Sequence, residues 1–278
     1  MNSILSYIEN QLRGYIDDNE LREVALWIAE EATSLTRSEI VCKDITFIPN
    51  LEIILNRVRS GEPIQYIFGR SYWGGLELEV NSSTLIPRPE TWELVSAIRD
   101  IIGVSADFTI LDIGTGSGCI AIALAKLFPY VRVFGCDISD MAIETAIKNA
   151  ARNNVDVTFF RCDILGSDAK AVIERHVGNG GVCDMVVSNP PYVRESERES
   201  MSVRVLDYEP ATALFVSDDD PLLFYRCIAE LNLAQRLCFE INEALGEEVV
   251  KLLAEHGYVN PRVIEDMFGK SRIVVAGH

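Results

Sequence analysis

The chain has 278 residues, of which 48% are apolar and 24% charged, proportions that exclude a disordered, collagen-like or coiled-coil protein. Its net charge of −17 weighs against nucleic-acid substrates and anionic membranes, because affinity for phosphate groups depends on Lys and Arg. No apolar run approaches the roughly 18 residues of a membrane-spanning helix, and the N-terminus lacks the pattern of a signal peptide.

Seven cysteines are scattered along the chain, and none forms a C-x-x-C pair. Most stand among apolar residues, so we expect small buried hydrophobes in a reducing, cytoplasmic environment rather than disulfide partners. The three histidines are too far apart in sequence to indicate a zinc site, and we predict no bound metal.

The first part of the chain, residues 1–71, has the apolar spacing of helices. Apolar residues recur every three to four positions over 4–12 and again over Leu21–Ala32. Two further short helices are predicted, one of them around Leu51–Arg59. A β-rich stretch follows at 72–88, where Asn81-Ser82-Ser83 predicts a turn. We expect a small helical domain and then a β-hairpin that links it to the rest.

From residue 89 to 278, short apolar strands alternate with helices, which predicts parallel strands with right-handed crossovers in a three-layer α/β sandwich. Seven strands are predicted, at Phe108–Ile113, Val131–Cys136, Val157–Arg161, Met185–Ser188, Leu237–Ile241, Tyr258–Ile264 and Ile273–Ala276. Helices are predicted at about 90–102 and at Cys119–Leu127, Met141–Asn149, Ala169–His176, Leu222–Leu233 and Leu245–His256. The longest irregular stretch, 190–218, follows the fourth strand, where such loops are usually functional.

The first of these strands leads into a glycine-rich turn, Asp112-Ile113-Gly114-Thr115-Gly116-Ser117-Gly118, and then a helix. Such an element brings backbone N–H groups and a helix N-terminus close to a ligand. A nicotinamide-type G-x-G-x-x-G would need glycine where Cys119 stands, and a P-loop would need lysine after Gly118. The sequence therefore matches neither the nicotinamide-type motif nor the P-loop.

The order D-x-G-x-G-x-G resembles the first motif of class I S-adenosylmethionine-dependent methyltransferases, whose Rossmann-like fold agrees with the predicted sandwich. Asp137 ends the next strand, where a carboxylate can accept both ribose hydroxyls. In such methyltransferases the end of the third strand touches adenine, which implies contacts from Asp163 and Ile164. For both aspartates the alternative is that they cap helices.

The fourth strand ends in Asn189-Pro190-Pro191-Tyr192, called the tetrad below. The prolines end the ladder and hold Asn189 in extended geometry at the edge where α/β sheets bind ligands. Two acceptors, the Asn189 side-chain oxygen and the Pro190 carbonyl, together with the Tyr192 ring suit a planar amino group on a π system. Acceptors that hold both N–H bonds favour attack of such a nitrogen on a methyl sulfonium, without an obligatory base. The alternative is a turn that merely ends the strand.

The tetrad resembles that of amino-methyltransferases, which modify adenine or cytosine amines or a glutamine amide. Further segments resemble the HemK/PrmC family, the protein-(glutamine-N5) methyltransferases of peptide chain release factors. They are Gly61–Gly69, Leu85–Thr91, Tyr208–Leu214, Phe224–Arg226 and Gly269–Ala276, so the resemblance covers nearly the whole chain. It departs at Trp92, where the family usually has glutamate, at Ile241–Gly246 and at Asp218–Pro221.

The resemblance implies methyl transfer from S-adenosylmethionine, leaving S-adenosylhomocysteine, to the glutamine of the Gly-Gly-Gln motif in class-I release factors, which the helical domain would hold. Cofactor contacts are implied for Asp112, Gly114, Thr115, Gly116, Ser117, Gly118, Asp137, Asp163, Ile164 and Asn189. The substrate amide would meet Asn189, Pro190, Pro191 and Tyr192, of which Asn189, Pro190 and Tyr192 are the catalytic candidates. Arg88, Glu90 and Glu209 are possible supporting residues, or they only tie local segments together. An N6-adenine or N4-cytosine methyltransferase and a cofactor-binding module without turnover remain the alternatives.

Overall fold

The computed structural model describes residues 3–43, 45–102, 108–178 and 182–277, and it divides the chain into two compact units. The first unit comprises residues 1–69 and 202–208, and the second comprises residues 70–201 and 209–278. The helices are α1 Ser3–Leu12, α2 Leu21–Thr33, α3 Arg37–Cys42, α4 Leu51–Arg59, α5 Ile64–Phe68, α6 Thr91–Ile102, α7 Cys119–Leu127, α8 Asp140–Asn153, α9 Ala169–Val177, α10 Val203–Tyr208, α11 Leu223–Leu231 and α12 Gly246–Glu255. The strands are β1 Arg70–Trp73, β2 Leu76–Glu79, β3 Thr109–Ile113, β4 Arg132–Asp137, β5 Thr158–Arg161, β6 Cys183–Ser188, β7 Val193–Arg194, β8 Phe215–Val216, β9 Ala234–Glu240, β10 Val259–Glu265 and β11 Ser271–Gly277.

The first unit is helical, and its apolar residues meet in one core. Leu5, Ile8 and Leu12 from α1 are fully buried there with Ile28 of α2 and Leu55 of α4. The spacing of three and four positions in α1 places these side chains on one face, as the sequence predicted. Within the described residues, no helix of either unit is long and apolar enough to cross a bilayer.

Helix α10 belongs to the first unit although it lies far along the chain. The Arg204 guanidinium donates to the Tyr15 carbonyl (2.7 Å), and the Tyr208 hydroxyl donates to the Ser60 carbonyl (3.2 Å). The sequence predicted an irregular stretch over 190–218, which was wrong for this helix and for the short strands β7 and β8. Such short elements show no clear periodicity, and contacts across 189 and 148 positions hold α10 in place.

The second unit is built on a seven-stranded sheet with the order β10-β11-β9-β6-β3-β4-β5. The strands from β9 to β5 pair in parallel, whereas β11 is antiparallel to both of its neighbours. This confirms the prediction of a mostly parallel seven-stranded sheet. Since β10 and β9 both oppose β11, six of the strands share one direction.

Apolar side chains cover both faces of this sheet. Every residue of β3 is buried, as expected for a central parallel strand. Leu111 packs in one core with residues of α9, α11 and α12, whereas its neighbour Ile110 packs in a second core with residues of α6 and α7. Helices on both faces confirm the predicted three layers. The carboxyl ends of β3, β4, β5 and β6 meet at one edge, where α/β sheets bind ligands.

Strands β1 and β2 form the predicted hairpin, which reverses at Gly74-Gly75 and belongs to the second unit. Both glycines have positive φ (56° and 77°), as tight two-residue hairpin turns require. Residues 81–84 form a separate turn, in which Thr84 N–H donates to the Asn81 carbonyl (3.0 Å). This confirms the turn that Asn81-Ser82-Ser83 predicted.

Trp92 packs directly over the hairpin turn. Its ring meets that of Trp73 edge to face, with 5.1 Å between centroids, and the Trp73 indole donates to the Arg88 carbonyl (2.7 Å). A Cβ atom added at Gly74 would lie 2.0 Å from the Trp92 ring. The indole thus occupies the space that a side chain at Gly74 would need, which gives the departure at Trp92 a structural role.

We expect Gly74→Ala to lower the free energy of unfolding by about 1–3 kcal/mol more than Gly75→Ala, because only the first substitution overpacks against Trp92. Gly75 is the matched control, since it also has positive φ but a Cβ there would meet nothing within 4 Å. Urea unfolding of both variants measures the difference. Equal destabilisation would mean that the backbone strain alone matters and that the Trp92 packing contributes nothing.

Candidate active site

The glycine turn between β3 and α7 is held by backbone hydrogen bonds to the neighbouring strand. The N–H groups of Gly114 and Thr115 both donate to the Cys136 carbonyl at 2.9 Å. Gly114, Gly116 and Gly118 all have positive φ (72°, 55° and 80°), a backbone conformation that other residues rarely adopt. The pattern of three alternating glycines is therefore a requirement of the turn itself.

The three glycines differ in what surrounds them. A Cβ atom at Gly114 or Gly116 would meet nothing within 4 Å, and both residues line a cavity of about 370 Å³ at the carboxyl edge of the sheet. A Cβ at Gly118 would instead lie 3.1–3.2 Å from Ala146, Ile122 and Phe159, so this glycine permits close helix packing. The cavity volume is in the range of small-molecule sites, about 300–1,000 Å³.

Asp112 lies at the start of the turn and is fully buried. Burial raises the pKa of its carboxyl group to about 7, against the lowering effect of the Thr115 hydroxyl, which donates to Oδ2 at 2.7 Å. Asp112 therefore lies behind the cavity lining and holds the turn through its hydrogen bond with Thr115. Thr115 and Ser117 themselves line the cavity.

Asp137 joins the end of β4 to the glycine turn. Its Oδ2 accepts from Gly116 N–H and its Oδ1 from Ser139 N–H, both at 2.9 Å. Burial raises the pKa of this carboxyl group, and the surrounding backbone N–H groups partly offset that effect. Each oxygen keeps a second lone pair for a ligand hydroxyl. The cap of α8 is Ser139, whose hydroxyl accepts from Ala142 N–H, so the alternative role of Asp137 as helix cap is not what the structure has.

Asp163 and Ile164 follow β5 and line the same cavity. Asp163 Oδ1 accepts from Leu165 N–H (3.0 Å), which forms a local turn, and α9 begins only at Ala169. Asp163 therefore does not cap that helix. Its side chain is exposed, and this leaves acceptor capacity next to the cavity.

The tetrad follows β6 at the same edge. Asn189, Pro190 and Pro191 line the cavity, and Asn189 Nδ2 donates to the Thr91 hydroxyl at 3.3 Å. Tyr192 does not line it. Its hydroxyl donates instead to Oε1 of the buried Glu240 (3.1 Å), and burial raises the pKa of the tyrosine.

Arg88 and Glu209 form an ion pair beside the cavity. Arg88 Nη2 lies 2.6 Å from Oε1 of Glu209, whose side chain is 1% exposed, and Ile86 N–H donates to Oε2 at 3.2 Å. Arg88 lines the cavity, so the buried glutamate fixes the position of a cavity residue. Glu90 is exposed and lies outside the cavity lining, where its carbonyl accepts from Glu93 N–H as α6 begins.

The cavity thus brings together most of the predicted site residues, although they come from segments spread over more than 100 positions. These are Arg88, Gly114, Thr115, Gly116, Ser117, Asp137, Asp163, Ile164, Asn189, Pro190 and Pro191. Asp112, Gly118, Tyr192, Glu90 and Glu209 lie behind or beside the lining.

Sequence reasoning did not single out several lining residues. They are Ser83, Thr84, Leu85, Pro87, Thr91, Thr212, Ala213, Phe215, Phe224 and Ile228, among others. Six of these residues stood in the segments on which the family resemblance was based, and that was the available signal for them: Leu85, Pro87, Thr91, Thr212, Ala213 and Phe224. Nothing in the local sequence indicated Glu240 as the partner of Tyr192.

Comparisons with known proteins bear on the family and the fold. The methyltransferase small domain family matches residues 94–212. The release factor glutamine methyltransferase of Flavobacterium psychrophilum is 41% identical over 276 residues, which cover 95% of this chain and 94% of that protein. The one of Bacteroides thetaiotaomicron is 40% identical over 287 residues and 99% of both chains. The crystal structure of a methyltransferase from Pyrococcus furiosus superposes with a TM-score of 0.52 at 18% identity, over 73% of this chain and 89% of that one. This likeness concerns the fold alone and confirms the predicted class I methyltransferase fold.

Proposed function

The chain belongs to the release factor glutamine methyltransferase family, and we propose that it methylates the side-chain amide nitrogen (N5) of the glutamine in the Gly-Gly-Gln motif of class-I release factors. The methyl donor is S-adenosylmethionine, and the reaction takes place in the cytoplasm with the release factor as protein substrate. The observation that carries the proposal is that Asn189, Pro190 and Pro191 line the same cavity as the glycine turn and Asp137.

The residues around the cavity fit this cofactor. Gly114 and Gly116 leave open space where side chains would project, so a ligand can approach the backbone closely. Asp137 would accept the ribose hydroxyls through the lone pairs that Gly116 and Ser139 leave free. Asp163 and Ile164 would border the adenine ring. When bound, the cofactor supplies an electrophilic methyl group on a sulfonium.

The tetrad would position the acceptor amide. The Nδ2 amide group of Asn189 donates a hydrogen bond to the Thr91 hydroxyl, so Oδ1 remains free to accept from the substrate. The Pro190 carbonyl offers a second acceptor. Held by both N–H bonds, the amide nitrogen would direct its lone pair at the methyl group of the sulfonium. The N–C bond would form as the C–S bond breaks, S-adenosylhomocysteine would leave, and one amide proton would pass to solvent water. Acceptors fixed in this way stabilise the positive charge that develops on nitrogen. The prolines keep the acceptors rigid, since they fix φ and restrict Asn189.

The helical first unit would hold the release factor, because the cavity residues all belong to the second unit and the first carries no chemical motif. The net charge of −17 suits a protein partner with basic patches and weighs against nucleic acid as substrate. The ion pair of Arg88 and Glu209 would border the path of the incoming amide.

The experiment that tests the proposal is incubation with isotopically labelled cofactor and purified class-I release factors, followed by mass mapping of the modified residue. We expect one labelled methyl group on the Gly-Gly-Gln glutamine and none on a factor in which this glutamine is glutamate, because the acid has no amide nitrogen. In a parallel incubation with nucleic acid in place of the release factors, label on the bases would support the adenine or cytosine alternative and contradict the proposal.

We expect Asp137→Ala to weaken cofactor binding by about 1.5–3 kcal/mol, the range for hydrogen bonds to a charged group. Titration calorimetry measures the change. Asp140→Ala is the matched control, because Asp140 lies three residues further on, its side chain is 74% exposed and it lies outside the cavity lining. Unchanged affinity in Asp137→Ala would remove this residue from the cofactor site.

A further inference from the structure

A single buried carboxylate lies behind the tetrad, at the end of β9. Glu240 is 1% exposed, and its backbone carbonyl accepts from the buried Tyr225 hydroxyl at 3.1 Å. In the ladder between β6 and β9, Ser188 is opposite Phe239. The next residues along these parallel strands are Asn189, which follows β6, and Glu240, which ends β9 and still pairs with Ile273 of β11.

Glu240 is hydrogen-bonded to the last residue of the tetrad. Its Oε1 accepts from the Tyr192 hydroxyl at 3.1 Å. At the other end of the tetrad, Asn189 Nδ2 donates to the Thr91 hydroxyl at 3.3 Å.

The burial of the Glu240 carboxyl group is unfavourable for folding. Burial raises the pKa of the Glu240 carboxyl group, and the hydrogen bond from Tyr192 only partly offsets that effect. Within the described part of the chain, Oε2 has no hydrogen-bond partner of good geometry. A buried carboxyl group with one unpartnered oxygen destabilises the fold relative to an apolar residue, and such exceptions call for a functional explanation.

We propose that Glu240 is a positioning residue, which holds the Tyr192 hydroxyl so that the tetrad keeps the geometry that the acceptor amide needs. It lies outside the cavity lining, so it does not touch the reacting atoms and acts through Tyr192. The inference rests on the proposed function, because the geometry that it preserves is that of the amide-binding tetrad.

The test is a double-mutant cycle in the full chain, read out as the single-turnover rate of methyl transfer at saturating cofactor. Glu240→Ala should lower this rate about ten- to hundredfold, the scale on which small misplacements of reacting groups act. Glu240→Gln should recover most of the rate, because its side-chain oxygen can still accept from Tyr192. In a Tyr192→Phe background, Glu240→Ala should add no more than about a twofold further loss, because coupled residues are not additive.

Cofactor affinity and thermal stability separate positioning from a structural role. We expect Glu240→Gln to melt near the wild-type temperature and to bind the cofactor normally, so that its rate remains interpretable if Glu240→Ala folds poorly. Asp184→Asn is the matched control, since Asp184 accepts from Thr109 N–H (2.7 Å) near the beginning of β6, at the opposite edge of the sheet. A wild-type rate in folded Glu240→Ala, or losses that multiply in the cycle, would overturn the inference. Failure of the wild-type chain to methylate release factors would instead contradict the proposed function.

Discussion

Replacing Asn189 by alanine should slow methyl transfer by about 10²–10³-fold, the loss that follows removal of one preorganised polar group from a transition-state site. Asn189 lines the cavity, and its Nδ2 donates a hydrogen bond to the Thr91 hydroxyl. Its Oδ1 would accept from the substrate amide. The measurement is the single-turnover rate with saturating cofactor, which separates chemistry from binding.

Tyr192 supplies the comparison for this variant, because it belongs to the tetrad but points toward Glu240. Tyr192→Phe, which removes only the hydrogen bond to Glu240, should cost less than Tyr192→Ala, which also removes the ring, and both should cost less than Asn189→Ala. Methyl transfer by Asn189→Ala at the wild-type rate would mean that the tetrad only ends a strand, and the proposed mechanism would be wrong.

Removing the first unit should abolish methylation of the intact release factor while leaving cofactor affinity within about threefold, because all the cavity residues belong to the second unit. Deleting residues 1–69 alone would strip α10 of Tyr15 and Ser60. The variant should therefore also replace Ser202–Tyr208 by a Gly-Ser segment of the same length. Calorimetry measures the affinity, and mass spectrometry measures methylation of the intact factor.

The control for this deletion is the full-length chain with the same Gly-Ser replacement. It should retain binding of the release factor through the remaining helices, so that a loss seen only in the deletion is due to residues 1–69. Full activity of the folded deletion variant on the intact factor would contradict the docking role of the first unit.

The sequence predicted those features that depend on neighbours along the chain. Helix α7 was predicted with its observed bounds, Cys119–Leu127, because the glycine turn before it and the unbroken apolar run within it are local signals. The strands of the sheet were found for the same reason, since continuous apolar runs between turn residues are typical of buried parallel strands.

The features that the sequence missed depend on residues far apart in the chain. The direction of the Tyr192 hydroxyl is set by Glu240, 48 positions away, and the close packing at Gly118 by Ala146 and Phe159. The tetrad and the glycine motif indicate the chemistry of Tyr192 and Gly118, but they do not show whether each residue lines the cavity or packs behind it. The sequence predicted a hairpin but did not single out Gly74-Gly75 as its reversal, which follows from the pairing of β1 with β2.

The membership of α10 in the first unit has a consequence for synthesis on the ribosome. The helices of residues 1–69 emerge early, but the Arg204 and Tyr208 contacts that complete this unit become available only about 140 residues later. At 5–20 residues per second, that delay is about 7–28 s. During this interval the emerging helices must stay soluble without their last element, so the order of synthesis obliges this unit to finish folding only after most of the second unit has left the ribosome.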